Sequence, residues 1–188
     1  AGVCRTDLHI IEGQWADRSN VTLPYTIGHE NAGTVTEIGP AVTNVAVGDT
    51  VILHPLVTCG LCRACRAGYR NLCYRIKFSG HGETDGMLRE VMAWPSGLLH
   101  PLPDGVSDAD GAMLEPLGVA IHSADLGHLP FAGAAAVIGC GPIGLLLIQV
   151  LKAAGASSVL AVEPLAHRRE AAARMGADQV AGSGAALD

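Results

Sequence analysis

Four closely spaced cysteines are the densest group of reactive side chains in this 188-residue chain. They follow the pattern Cys-x2-Cys-x2-Cys-x7-Cys and are Cys59, Cys62, Cys65 and Cys73. Four thiolates form a closed tetrahedral zinc site, which holds together a loop that buries no core of its own. An iron–sulfur cluster is the alternative, but ferredoxin-type runs continue with a gap of three residues and a proline. Here the gap is seven and Tyr74 follows, so the spacing favours a structural zinc ion.

A glycine-rich motif, G-x-G-x-x-G, lies between an apolar run that predicts a strand and one that predicts a helix. In that context the glycines let the backbone approach a pyrophosphate at the positive end of the helix; the alternative is a plain glycine-rich turn. Glu163 ends the next predicted strand, where a carboxylate accepts hydrogen bonds from ribose hydroxyls and repels a 2′-phosphate. This favours NAD over NADP, although Arg168 and Arg169 lie nearby. The predicted cofactor-binding residues are Gly139, Gly141, Pro142, Ile143, Gly144, Glu163 and Arg168.

Four further residues are zinc-type ligands that the cysteine run does not use: Cys4, His29, Glu30 and Glu115. His29 and Glu30 follow a glycine in a turn-rich stretch, where a histidine packed in an apolar core is less expected. For each of the four, the residue types alone leave both a metal-binding and a structural interpretation open.

The elements that must position these residues differ between the two halves of the chain. Short strands separated by turn residues are predicted over the first hundred residues, at 34–38, 50–53 and 88–93. A helix is then predicted at 109–126, capped by Ser107 and interrupted by Pro116.

Beyond this helix, strands and helices alternate. Strands are predicted at 134–138 and 158–162, and helices at 142–154 and 166–175. That alternation is typical of a parallel, doubly wound α/β sheet. It also accounts for the apolar stretch 131–151 as a strand followed by a helix rather than a membrane span. We therefore predict two unlike domains, 1–127 and 128–188.

Composition excludes several functional classes. The chain is 49% hydrophobic and 16% charged, with a formal net charge of −6. Such a chain folds, and its acidity argues against a surface that binds nucleic acid or anionic lipid throughout. A nucleic-acid module remains an alternative for the cysteine run alone, because five basic residues surround it: Arg63, Arg66, Arg70, Arg75 and Lys77. Clustered thiols also indicate metal binding in a reducing compartment, so we expect a cytoplasmic protein.

From Gly28 the sequence reads G-H-E-x2-G-x5-G-x2-V-x5-G-D-x-V, which resembles the zinc signature of the medium-chain dehydrogenases. Cys4-x-Thr6-Asp7-x-His9 before it, and the cysteine run and glycine-rich turn after it, occur in that family's order. The resemblance covers essentially the whole chain. It implies a GroES-like, mostly β catalytic domain followed by a Rossmann domain, an α/β architecture overall.

The resemblance also implies roles for the metal ligands. Cys4 and His29 match two ligands of a catalytic zinc ion, and Glu30 matches an acidic neighbour that enters the zinc shell during exchange. Many simple alcohol dehydrogenases have cysteine as the third protein ligand, whereas this chain offers Glu115, as in the polyol and threonine dehydrogenases. The resemblance leaves open whether Glu30 or Glu115 is the resting ligand.

Three residues near the N-terminus match parts of the catalytic and cofactor machinery. Thr6 matches the hydroxyl that takes the substrate's proton, and His9 matches the outer end of a proton relay that runs through the cofactor ribose. Arg5 occupies a position at which basic residues contact the cofactor pyrophosphate.

Together these residues predict a zinc- and NAD-dependent enzyme that oxidises an alcohol or polyol to an aldehyde or ketone. Two zinc ions per chain are expected, one catalytic and one structural. The alternatives are an L-threonine 3-dehydrogenase-like or butanediol dehydrogenase-like activity and, outside the enzymes, a zinc-stabilised binding module. The expected partners are a small-molecule alcohol and further copies of the chain, with no nucleic acid and no membrane.

The position of the motifs within the chain leads us to expect that segments of the family's fold lie outside this sequence. Because Cys4 already matches a metal ligand, we expect the family's leading strands to precede residue 1. Rossmann folds take about six strands, so we expect 128–188 to hold only the first half. The chain is then a fragment truncated at both ends, expected to fold poorly and show no turnover alone.

Overall fold

The computed structural model describes residues 1–14 and 20–182. The chain divides into two units, the first ending at Glu115 and the second beginning at Pro116. The junction falls near the start of a helix, Leu114–Leu126, whose far end coincides with the boundary expected at residue 127. The limits of the two domains stay a prediction.

The first unit is built from short antiparallel strands. Its strands are β1 (Ala32–Thr34), β2 (Thr50–Leu53), β3 (Leu56–Val57), β4 (Lys77–Phe78) and β5 (Leu99–Pro101). One sheet has the order β1-β2-β5, with Val51 opposite both Gly33 and Pro101, and a second sheet pairs β3 with β4. Val35, Val45 and Val51 form a small buried core against the first sheet.

Short helices complete this unit: α1 (Arg5–Ile11), α2 (Arg63–Arg66), α3 (Asp108–Ala112) and the start of α4 (Leu114–Leu126). Single 3-10 turns lie at Arg70–Leu72 and Ser96–Leu98. Ser107 caps α3 as predicted, because its Oγ accepts the backbone N–H of Asp110 at 3.2 Å. Pro116 lies in the first turn of α4, where its missing N–H breaks no helical hydrogen bond.

Three expectations for this unit were wrong or incomplete, and helix α1 was not predicted. The helix expected at 109–126 with an interruption at Pro116 is two helices, α3 and α4, separated at Met113. The strand expected at 88–93 does not form, since the Leu88 N–H bonds to the Ile27 carbonyl and the Arg89 N–H bonds locally to Met87. Of the strand expected at 34–38, only Thr34 belongs to β1. An apolar, β-branched run predicts a strand only where a neighbouring strand is available to pair with it.

The second unit is a parallel α/β layer, as predicted. Its elements are β6 (Ala134–Ile138), α5 (Pro142–Ala153), β7 (Ser158–Val162), α6 (Ala166–Arg174) and β8 (Gln179–Ala181). The strands are parallel in the order β6-β7-β8. Ile148, Val159 and Ala161 are fully buried between helix and sheet. None of the helices in the described ranges combines the length and apolarity needed to cross a bilayer.

Candidate metal centre and cofactor turn

Cys4, His29 and Glu30 converge in the first unit, with one donor atom of each within 4.8 Å of the others. Cys4 lies immediately before α1, whereas His29 and Glu30 lie in the irregular segment that leads to β1. Gly28, with φ of 101°, allows the sharp change of direction before them. A sulfur, an imidazole nitrogen and a carboxylate oxygen form a donor set typical of zinc with an open position.

The His29 ring gives an independent test of whether a metal fits. The side chain is 5% exposed, and its Nδ1 has no hydrogen-bond partner in the described part of the chain. Burial is the main cause that lowers the pKa of His29, so the ring is held in the neutral form that binds metals. An unpartnered buried nitrogen is costly unless a ligand satisfies the ring. The site therefore fits a metal ion.

Asp7 holds the two ligand segments together, a role that the sequence did not reveal. Its side chain is 1% exposed. Oδ2 accepts the Cys4 N–H at 2.8 Å, and Oδ1 accepts the Gly28 N–H at 2.9 Å. The same Oδ1 lies 3.8 Å from His29 Nδ1. The available signal was an acidic residue three positions after Cys4, which is the spacing of a helix capping box.

Glu115 lies outside the group formed by Cys4, His29 and Glu30. It is half-buried at the start of α4, and burial, together with the charge of Glu30, raises its pKa to about 7. Burial, and secondarily Asp7, also raises the pKa of Glu30. The charge of Asp7 thus acts on Glu30 and that of Glu30 acts on Glu115, and a divalent cation bound by Glu30 would relieve this repulsion. Glu115 as a zinc ligand stays a prediction.

Helix α1 carries Thr6 and His9, which are expected to move the proton, and Arg5, which is expected to contact the cofactor pyrophosphate. Thr6 Oγ1 is 3.7 Å from Cys4 Sγ, which places the hydroxyl beside the metal-ligand group. His9 follows Thr6 by three residues, on the same face of the helix, and its Nδ1 hydrogen bonds to the Gln14 side chain. Arg5 is exposed and lies 3.7 Å from Glu12.

His81 is a second residue that the sequence did not single out. The Phe78 ring packs edge-on against the His29 ring, with centroids 5.2 Å apart, and against His81 at 6.3 Å. His81 also contributes to lowering the pKa of His29, after burial. Antiparallel bridges pair His81 with Phe78 and Thr84 and fold this loop back on itself. His81 has no ligand spacing in sequence, so only the fold relates it to His29.

The four clustered cysteines form a separate site. The Sγ–Sγ distances are 4.0 Å for Cys59–Cys65, 4.0 Å for Cys62–Cys73 and 3.5 Å for Cys59–Cys73. Zinc–sulfur bonds of about 2.3 Å in a tetrahedron require sulfurs roughly 3.8 Å apart. No disulfide joins any of the six cysteines. These distances fit a zinc ion held by four thiolates.

Backbone N–H groups lower the pKa of two of these cysteines, Cys59 and Cys62, whereas burial raises the pKa of Cys65 to about 11. The Cys62 N–H donates to Cys59 Sγ at 3.4 Å, and the N–H groups of Cys59 and Arg75 donate to Cys73 Sγ at 3.4 Å each. The Leu61 and Cys62 N–H groups lower the pKa of Cys59 to about 5. Since the thiolate is the form that binds metals, the backbone around Cys59 and Cys62 favours zinc binding.

The glycine-rich turn connects β6 to α5 in the second unit. Gly139 has φ of 92°, Gly141 precedes the helix, and Pro142 is its first residue. A Cβ on Gly144 would overlap the Gly139 carbonyl, so this glycine permits close packing of the helix on the turn. A Cβ on Gly141 would meet nothing within 4 Å, so that side of the turn is open. Cys140 is fully buried.

The carboxylate of Glu163, which is predicted to bind ribose hydroxyls, accepts two hydrogen bonds from backbone N–H groups. Its side chain is 3% exposed, its Oε2 accepts the Cys140 N–H at 2.8 Å, and its Oε1 accepts the Leu165 N–H at 3.0 Å. The Cys140 N–H is the main cause that lowers the pKa of Glu163. Because each carboxylate oxygen has a second lone pair, acceptor capacity remains for a ribose hydroxyl. Arg168 is exposed on α6, and its charge also lowers this pKa.

Residues 1–104 match the family described as the alcohol dehydrogenase GroES-like domain. A 2-dehydro-3-deoxy-L-galactonate 5-dehydrogenase of Pseudoalteromonas atlantica is 41% identical over 95% of this chain and 51% of its own length. An L-threonine 3-dehydrogenase of Caldanaerobacter subterraneus subsp. tengcongensis is 40% identical over the same shares, 95% and 51%. The chain therefore spans about half the length of these curated relatives.

Among solved structures, the chain is similar to one described as a zinc-binding dehydrogenase, from Sinorhizobium meliloti 1021, bound to NADP. The TM-score is 0.90 at 34% identity, and the match covers 99% of this chain and 53% of the other. The similarity extends over both units of the chain.

Proposed function

The chain belongs to the zinc-dependent medium-chain dehydrogenases that share the alcohol dehydrogenase GroES-like domain, and on that premise we propose a zinc- and NAD-dependent dehydrogenase of alcohols or polyols. The observation that carries the proposal is the convergence of Cys4, His29 and Glu30 within 4.8 Å. A hydroxyl, that of Thr6, stands 3.7 Å from the Cys4 sulfur.

Each residue has a part in this proposal. Cys4, His29 and Glu30 hold the catalytic zinc ion, and Asp7 fixes the backbone on both sides of it. When bound, zinc supplies a Lewis acid for the substrate oxygen, and the nicotinamide accepts a hydride. Thr6 receives the hydroxyl proton of the substrate, and His9 passes a proton outward. The substrate thus loses a hydride and a proton and becomes a carbonyl compound.

The second unit binds the cofactor in this proposal. The open side of the turn at Gly141 leaves room for the pyrophosphate at the start of α5. The carboxylate of Glu163 accepts a hydrogen bond from a ribose hydroxyl and repels a 2′-phosphate, which favours NAD over NADP. Because the similar solved structure from Sinorhizobium meliloti is bound to NADP, activity with NAD and with NADP must be compared directly.

Two relatives suggest the substrate. Their names specify a deoxy sugar acid and L-threonine, both of which carry a secondary alcohol and a carboxylate. The candidate substrates therefore include hydroxy acids and amino alcohols in addition to simple alcohols, 2,3-butanediol and sugar alcohols.

The proposal is tested by following NADH and NADPH formation with this substrate panel, using the protein that carries this chain. We expect zinc-dependent turnover with NAD, and loss of turnover in Cys4→Ala and His29→Ala with NAD binding retained. A matched control is His100→Ala, an exposed histidine on β5. Undiminished turnover in both ligand variants would refute the site.

A zinc count separates this proposal from the non-enzymatic alternative. The enzyme binds two zinc ions per chain, whereas a zinc-stabilised binding module binds one, at the four cysteines. The count of two requires both groups of metal-binding side chains, Cys4 with His29 and Glu30, and the four cysteines. The count of one requires only the four cysteines.

A further inference from the structure

Four side chains at helix α1 form a row of polar contacts: Arg5, Glu12, Gln14 and His9. Arg5 Nη2 lies 3.7 Å from Glu12 Oε2. Gln14 Nε2 donates a hydrogen bond to the same Glu12 oxygen at 2.7 Å. Gln14 Oε1 is in turn hydrogen bonded to His9 Nδ1. The row therefore connects the residue expected to contact the cofactor pyrophosphate with the residue expected at the outer end of the proton relay.

The backbone at the end of α1 places Gln14 beside His9. The helix ends at Ile11, and Gly13, with φ of 70°, reverses the direction of the chain. The Gln14 N–H donates to the His9 carbonyl at 3.0 Å, and the Gly13 N–H donates to the Ile10 carbonyl at 3.1 Å. These two bonds are those of the Schellman motif, a common end of a helix. The motif brings the Gln14 side chain back within reach of the His9 ring.

These contacts determine which nitrogen of a neutral His9 ring carries the hydrogen. An ionised carboxylate such as that of Glu12 only accepts hydrogen bonds, so the Gln14 group that faces it is the NH2 group. The orientation of the amide is thereby fixed, and the Gln14 carbonyl oxygen faces the ring. Because that oxygen also only accepts, His9 Nδ1 is the donor and carries the hydrogen. Nε2 then carries the lone pair that can take a proton.

We propose that Gln14 is a positioning residue that holds His9 in the Nδ1–H form, so that Nε2 accepts the proton in the relay. The inference rests on the proposed dehydrogenase function, in which the substrate's proton passes from Thr6 toward His9. Nε2 takes that proton, and the ring becomes a cation with a hydrogen on both nitrogens. Water then removes the Nε2 proton, which restores the Nδ1–H form. Because Nδ1 keeps its hydrogen throughout, every turnover starts from the same tautomer.

A purely structural role is the alternative, in which Gln14 only closes the end of α1. The Schellman bonds use backbone groups, so every residue type except proline can form them at position 14. The side chains of Glu12 and Gln14 are exposed, so their contacts bury little surface. A structural role therefore predicts that the tautomer of His9 does not depend on the side chain at position 14.

The tautomer is measured by long-range proton–nitrogen correlation spectra of the protein that carries this chain, with isotope-labelled histidine, above the ordinary titration range of histidine. The spectrum of His9→Asn identifies the His9 signals. We expect the Nδ1–H form in the wild type and loss of this preference in Gln14→Leu, which has no acceptor. Gln14→Glu, an acceptor of similar size, should retain the Nδ1–H form. Glu12→Gln should weaken it, because an amide no longer fixes the orientation of Gln14.

Alcohol oxidation by the same variants measures the consequence for the reaction. Gln14→Leu should lower kcat about tenfold, a part of the 10²–10⁴-fold that a general base typically contributes, with KM for the alcohol unchanged. Gln14→Glu should retain most of kcat. The matched control is Gln149→Leu, which should alter neither tautomer nor kcat, since Gln149 is exposed on α5 and its Nε2 donates to the Leu145 carbonyl of its own helix.

Two results would overturn the proposal: the Nε2–H form of His9 in the wild type, or a Gln14→Leu variant with the wild-type tautomer or kcat. A wild type without turnover would count against the dehydrogenase function instead, and the spectra would still decide the role of Gln14.

Discussion

Asp7 is the residue on which the geometry of the candidate metal centre most depends. Its two carboxylate oxygens accept the N–H groups of Cys4 and Gly28, and so connect the segments that carry the sulfur and imidazole donors. Residues that orient metal ligands typically change metal affinity by 10- to 100-fold when they are replaced. The metal centre therefore depends on a side chain that need not touch the metal.

Asp7→Asn should lower zinc affinity at the Cys4 site by about tenfold or more, because the amide retains only one acceptor oxygen for two N–H donors. Competition with a chromogenic chelator measures the effect. Asp49→Asn is the control, since Asp49 also accepts a backbone N–H, that of Ala46 at 2.8 Å, in a turn without metal ligands. Equal zinc affinity in both variants would contradict this role of Asp7.

Gly2→Ala should displace the Glu30 carboxylate, because the added Cβ would collide with Glu30 Oε2. We expect one zinc ion to bind more weakly while the four-cysteine zinc ion is retained, as measured by zinc titration. Gly33→Ala provides the comparison, since a Cβ there meets nothing within 4 Å. If Gly2→Ala binds both zinc ions as tightly as the wild type does, Glu30 is not a ligand.

The candidate site could be predicted in part from residue types and family resemblance. The donors Cys4, His29 and Glu30 were named in this way, and so were the four clustered cysteines. Asp7 and His81 could not be assigned, because their relation to His29 is created by the packing of α1 and of the loop after β4. The relative placement of Glu30 and Glu115 also depends on where α4 begins, which sequence spacing does not fix.

At the scale of elements, the turn between β6 and α5 combines two glycines with different constraints. Gly144 is required for packing, since a Cβ at this position would overlap the Gly139 carbonyl. Gly141 faces open space and has an ordinary φ of −73°. The fold therefore requires Gly144, whereas Gly141 is available for contact with a ligand.

Gly144→Ala should destabilise the second unit by about 1–3 kcal/mol, the usual cost of overpacking. Gly141→Ala should leave thermal unfolding nearly unchanged and weaken NAD binding, because the methyl group lies where the pyrophosphate approaches. Differential scanning calorimetry and isothermal titration with NAD separate the two effects. Identical behaviour of the two variants would contradict this division of roles.

Elements β6, α5, β7 and α6 of the second unit were predicted well because the sequence signals agree with each other, whereas the short strand β8 was not predicted. Apolar runs are separated by Gly139, Gly155 and Gly176, all of which adopt positive φ. The first unit was harder, since α1 is only seven residues long and the segment 88–93 finds no strand to pair with. Short elements depend more on tertiary partners than on local propensity.

At the scale of the whole molecule, Glu163 and Asp178 tie backbone segments of the second unit together. The Cys140 N–H lowers the pKa of Glu163, and the Val159 N–H lowers that of Asp178. A carboxyl group with a lower pKa in the folded chain stabilises the fold above its unfolded pKa. That stabilisation is lost as pH falls through the folded pKa.

The free energy of unfolding of the second unit should therefore decrease as pH falls below 4.5, the ordinary pKa of a glutamate. Glu163→Gln should be less stable at neutral pH and should show a weaker pH dependence. Glu170→Gln, on the exposed face of α6, is the control. Thermal unfolding from pH 3 to 7 measures these profiles, and parallel curves for Glu163→Gln and the wild type would count against the role of Glu163.

The central claim is that Cys4, His29 and Glu30 hold a catalytic zinc ion distinct from the ion held by the four cysteines. The most direct test is a zinc count by elemental analysis, together with NADH formation, in the wild type and His29→Ala. The proposed site predicts two zinc ions per chain in the wild type, and one zinc ion with no turnover in the variant. Two zinc ions and undiminished turnover in His29→Ala would contradict it.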